Sequence, residues 1–66
     1  VSHFDYEVSK QISRHDWPFY ALIMAAIRQA DTDNAERLRI AFPDVWDEFV
    51  DRYHAPGGLL PQDGQS

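Results

Sequence analysis

Trp17-Pro18-Phe19-Tyr20-Ala21-Leu22-Ile23-Met24-Ala25-Ala26-Ile27 is a run of eleven residues without a charge, in a chain otherwise dense in Asp, Glu and Arg. Pro18 suits the first turn of a helix, where its missing N–H has no intrahelical partner to lose, and Asp16 stands just ahead of it as a cap. Ala21, Leu22, Met24, Ala25 and Ala26 are good helix formers and β-branching is sparse, so the run reads as helix rather than strand. The predicted span is 17–30. Phe19, Leu22, Ile23, Ala26 and Ala30 form one apolar stripe, and Tyr20, Met24 and Ile27 form another. A helix apolar nearly all round needs partners on more than one side, which predicts a central, buried helix. Crossing a bilayer takes about 20 apolar residues. This run stops at Arg28 and Gln29, so no membrane span is expected.

Working outward, Phe4, Val8 and Ile12 recur at four-residue spacing and leave Asp5, Glu7, Lys10 and Arg14 for solvent, which predicts a first helix over 3–14 with Ser2 as its cap. On the other side, Asp31-Thr32-Asp33-Asn34 prefers caps and turns to a helix interior. A third helix over 33–42 follows, capped by Asp31 or Asp33, with Ala35, Leu38, Ala41 and Phe42 inward. Phe42-Pro43 repeats the logic of Trp17-Pro18 and opens a fourth helix over 43–53. There Val45, Trp46, Phe49, Val50 and Tyr53 face inward, while Asp44, Asp47, Glu48 and Asp51 face outward. The expectation is an all-α fold, a small bundle of three to four short helices in one domain over 1–54, with Trp46, Phe49 and Tyr53 closing the core. Residues 55–66 read as a flexible Pro/Gly-containing tail, disordered after about 62. Leu59 and Leu60 are the exception within it, either packed back on the bundle or open to a partner.

Sixty-six residues allow one domain with a thin margin of stability. Without cysteine there is no disulfide framework, thiolate zinc site or cysteine nucleophile, leaving helix packing or self-association to hold the fold. The start Val1-Ser2-His3-Phe4-Asp5 lacks the basic segment and apolar core of a signal peptide, and a cytoplasmic location is expected. A net charge of −5 argues against direct nucleic-acid binding and against an anionic membrane surface, and leaves basic protein surfaces as partners.

His3, His15 and His54 stand far apart with no HxxxH or HExxH spacing, so no metal site is expected. The Asp31–Glu36 segment lacks the later ligands of a calcium loop and serves better as a helix cap. Four short helices offer little concave volume once their core is filled, so neither catalysis nor a cofactor is expected. The row Asp44, Asp47, Glu48 and Asp51 is ordinary for a solvated helix face, yet it also fits a basic partner. With Leu59 and Leu60 it makes up the candidate partner-binding set. Trp17, Tyr20, Trp46 and Tyr53 could form a contact patch, but at this length most are expected in the core.

The segments Asp16–Asp31, Phe42-Pro43-Asp44-Val45-Trp46 and Arg52-Tyr53-His54-Ala55-Pro56-Gly57-Gly58 resemble short uncharacterised proteins of actinobacterial phages and prophages. That resemblance carries no activity and no site residues. It implies a context in which small acidic proteins bind and redirect a host protein. The leading expectation is a non-catalytic protein-interaction module. The alternatives are a structural or assembly subunit forming a homodimer, since the second helix has more apolar circumference than a small bundle covers, and an acidic mimic of nucleic acid.

Overall fold

In the computed structural model, which describes residues 1–64, four helices follow one another with short joints: α1 (His3–Ser13), α2 (Phe19–Gln29), α3 (Thr32–Ala41) and α4 (Pro43–His54). Two single 3-10 turns, Pro56–Gly58 and Pro61–Gly64, complete the chain. The all-α expectation holds, and each predicted helix is present with ends shifted by a residue or two.

The joints explain the shifts. Ser2 Oγ accepts the Asp5 N–H at 3.1 Å and starts α1 as expected. Asp16 does not cap α2; it sits at φ 54, in the left-handed region, closing the turn that ends α1. Aspartate tolerates that region better than most residues. Pro18 has an extended ψ of 142 and stands at the N-cap, outside the helix, so α2 begins at Phe19 without a side-chain cap. Asp31 caps α3, its Oδ1 accepting the Asn34 N–H at 2.9 Å. Phe42 serves two helices: its N–H donates to Leu38 O at 2.8 Å, and its carbonyl accepts the Trp46 N–H at 2.9 Å. Pro43 then occupies the first turn of α4, where it costs no hydrogen bond.

The core differs from the expectation in both place and size. α4, rather than α2, is the hub, packing against α2, α3 and the Pro56–Gly58 turn. Ile27 is the most enclosed side chain, at 8% exposure, and no described residue is fully buried. Arg28 seals the α2–α4 contact by lying over Phe49, with its guanidinium carbon 5.1 Å from the ring centroid. Phe19 meets Phe42 edge-on at 6.2 Å and ties the start of α2 to the α3–α4 joint. Tyr53, expected to close the core, is 65% exposed. Trp46 and Phe49 are half-buried.

α1 makes no extensive contact with any other helix and has no buried residue. The molecule is accordingly elongated, 43 × 27 × 18 Å, with a radius of gyration of 14.0 Å. A compact chain of this length has about 11 Å. Its accessible surface is 5681 Å², against about 4,300 Å² for a compact protein of the same mass.

Candidate functional site

Charge is divided along the chain. Up to Ala30 the three acids Asp5, Glu7 and Asp16 balance Lys10, Arg14 and Arg28, so the whole net charge of −5 lies beyond that point. α4 displays most of the surplus. Asp44, Asp47, Glu48 and Asp51 are all exposed, as the sequence predicts. They do not act as one uniform row, because their neighbours differ.

Asp44 and Glu48, one turn apart, stand with Tyr20, Met24 and Val45 around a shallow cleft of about 280 Å³ between α2 and α4. Its floor is apolar and aromatic, and its rim carries carboxylates. Glu48 Oε2 accepts Arg52 Nε at 3.0 Å. Asp47 faces α3, where it adds to the attraction on the Arg39 guanidinium; hydrogen bonding to Glu36 is the larger influence holding that arginine protonated. The same bond pushes the Glu36 carboxyl below its ordinary value. Among the described residues, Asp44 and Asp51 have no ion-pair partner.

The leucine pair is divided as well. Leu59 points outward at 68% exposure, whereas Leu60 is half-buried. The cause is a polar knot around Arg52 that sequence patterning does not reveal. One guanidinium nitrogen donates to Gly58 O at 2.8 Å and to Asp63 Oδ2 at 2.6 Å. The other donates to Asp63 Oδ1 at 2.9 Å. Asp63 Oδ2 also accepts the Leu60 N–H at 2.9 Å. Hydrogen bonds from Arg52 and Leu60 hold the Asp63 carboxyl far below the usual carboxylate range, and Arg52 is correspondingly harder to deprotonate. Gly57 and Gly58, at φ 64 and 69, supply the left-handed backbone that brings the chain back to α4. The part of the tail expected to be flexible is thus given defined turns through Gly64, including Asp63 beyond the predicted limit of order. Gln65 and Ser66, also covered by the expectation of disorder, lie outside the described residues.

A second concavity, about 450 Å³, opens on the far side of α2 between Ile12, Trp17, Ala21, Leu22, Ala25 and Ala26. Trp17 stacks on His15 at 5.6 Å rather than entering the core, and remains 56% exposed. Tyr20 belongs to the acidic cleft and Tyr53 lies near Arg28, so of the four aromatics expected mostly in the core, Trp17, Tyr20 and Tyr53 are exposed and only Trp46 is half-buried. No cluster of three or more potential metal ligands occurs among the described residues. No helix among them is long and apolar enough to cross a membrane.

Sequence patterning identified the carboxylates but missed Tyr20, Met24 and Val45 as their neighbours. The available signal was the second stripe of α2, Tyr20–Met24–Ile27, of which Tyr20 and Met24 stand beside α4 and Ile27 is the most enclosed residue. No family model matches the chain, and no curated protein and no solved structure matches it.

Proposed function

We propose that the chain is a non-catalytic protein-interaction module that receives a basic segment of a partner protein on the acidic side of α4. The cleft between α2 and α4 carries this reading. A lysine or arginine has an aliphatic stem that covers apolar surface and a charged head that seeks carboxylate, and Tyr20, Met24 and Val45 beside Asp44 and Glu48 match both halves. Asp47 and Asp51 extend the acidic face of α4 outside the cleft, and the outward Leu59 adds an exposed apolar side chain after α4. The phage resemblance makes that partner a host protein.

The test is capture from nuclease-treated actinobacterial lysate at low and moderate salt, with Asp44→Asn/Glu48→Gln as the paired variant. The expected result is one stoichiometric protein, lost from the variant and weakened but not abolished by salt. Capture unchanged in the variant would remove the cleft from the reading. Steep salt dependence together with competition by duplex DNA would instead favour the nucleic-acid mimic.

A further inference from the structure

We infer that two copies of this chain associate through α1 and α2, the apolar stripe of each α1 lying in the groove beside the other copy's α2. This interface lies on the opposite side of α2 from the acidic cleft and does not depend on it.

The stripe Phe4–Val8–Ile12 has the spacing of a buried helix face, yet α1 makes no extensive contact with another helix of its own chain and Val8 is only half-buried. Phe4 is 74% exposed and Ile12 43%. Ile12 also lines the groove, whose lining is apolar apart from Gln29, so the stripe runs into the groove at Ile12. A groove walled by Ala21, Ala25 and Ala26 lets a second helix approach closely, because small side chains shorten the distance between axes. Each copy therefore offers both a stripe and a groove. A two-fold axis satisfies both at once, as an isologous interface requires.

Area and charge favour a second copy over another partner. The chain exposes 5681 Å², about 1,400 Å² more than a compact protein of its mass. Two copies together carry about 2,800 Å² of such excess surface, within the range of about 2,000 to 5,000 Å² that obligate homodimers cover. Two chains of net charge −5 repel each other, but the first thirty residues are balanced and the surplus lies on the other half. Like-charged copies therefore oppose less net charge on the α1–α2 side than on the acidic side of α4. Arg28, the one charge on α2, is turned away onto Phe49 of α4.

Sedimentation velocity and thermal unfolding of the full chain from about 1 μM to about 500 μM, where mass action makes a dimer's melting point rise with concentration, give the first readout. A species of twice 7.7 kDa and a rising midpoint are expected. The second readout locates the contact. A nitroxide on Gln11→Cys, the only thiol in the chain, is mixed in unlabelled copies with ¹⁵N-labelled copies and broadens the amides of Ala21–Ala26 in the latter. Phe4→Ser, at a position exposed in the single chain, weakens association at least about tenfold. A single 7.7 kDa species throughout the range overturns the inference. A dimer whose broadened amides lie on α4 overturns it equally, and neither outcome touches the Asp44/Glu48 test of the acidic cleft.

Discussion

α1 and the Arg52 knot stand at opposite ends of the chain and reverse what their compositions lead one to expect. α1 has a side-chain cap, an ion pair from Lys10 to Glu7 at 3.3 Å and a regular apolar stripe, yet no extensive tertiary contact. The segment Pro56–Gly64 has two prolines, three glycines and almost no periodicity, yet one arginine gathers it onto α4 through Gly58 and Asp63. Periodicity reports that a helix has an apolar face and says nothing of what covers it. A bidentate arginine needs only one carboxylate and one carbonyl in reach, and those can come from any segment.

The comparison is most sharply tested where the two halves meet. Ile27→Ala truncates the most enclosed side chain among the described residues and should cost about 2 to 3 kcal/mol, read by urea unfolding followed by circular dichroism. Because α1 does not pack on that core, the lost signal should come mainly from α2 to α4. Loss of α1 helicity in the same transition at low concentration would show the two halves to be coupled.

Arg52→Gln should leave helices α2 to α4 in place and release the tail. The measurement is amide hydrogen exchange, with protection lost at Leu60, whose N–H depends on Asp63, and reduced at Gly58. Arg52→Lys should fail to restore it, since an ammonium cannot engage both Asp63 oxygens and Glu48 in the planar geometry of a guanidinium. Unchanged protection in Arg52→Gln would mean that the Gly57-Gly58 turn alone folds the tail back.

The knot should also resist acid. The Asp63 carboxyl is depressed in the folded chain, so its contribution is complete above the unfolded aspartate value of about 3.9 and is lost only as pH falls through its much lower folded value. The Leu60 amide resonance should therefore stay constant from neutrality to about pH 4.5 and move only below that. A midpoint near an ordinary aspartate value would show the Arg52–Asp63 pair to be absent in solution.

Helix caps give the smallest effects and the cleanest contrast. Asp31→Ala should lower the stability of the main transition by about 1 kcal/mol, because α3 is packed on α4 and its cap is coupled to the core. Ser2→Ala removes the same kind of bond from α1, yet at concentrations too low for association it should reduce only local helicity and leave that midpoint in place. Equal shifts in the two variants would place α1 within the cooperative unit.

Much of the fold was legible in the sequence because its signals are local. Proline at 18 and 43, Asp31 ahead of α3 and Ser2 ahead of α1 mark the helix starts to within two residues. Of the candidate site, the carboxylates on α4 were legible from their spacing, but their differing neighbours were not. Tyr20 and Met24 join Asp44 and Glu48 only because α2 packs on α4, a relation between residues about twenty positions or more apart. Leu59 and Leu60 look alike in sequence, and the bond from Leu60 N–H to Asp63 separates them.

The sequence by itself determined the helices, the caps of α1 and α3 and the placing of the whole net charge after Ala30, since each of these depends on residues within a turn or two of one another. Tertiary structure decided that α4 rather than α2 is the hub, that Arg28 and Arg52 act as fasteners, and that α1 stands off with its apolar stripe open. Those outcomes depend on which face meets which, and hydrophobic burial is non-directional: it rewards any covering of apolar surface and leaves the choice of cover to the geometry of the whole chain.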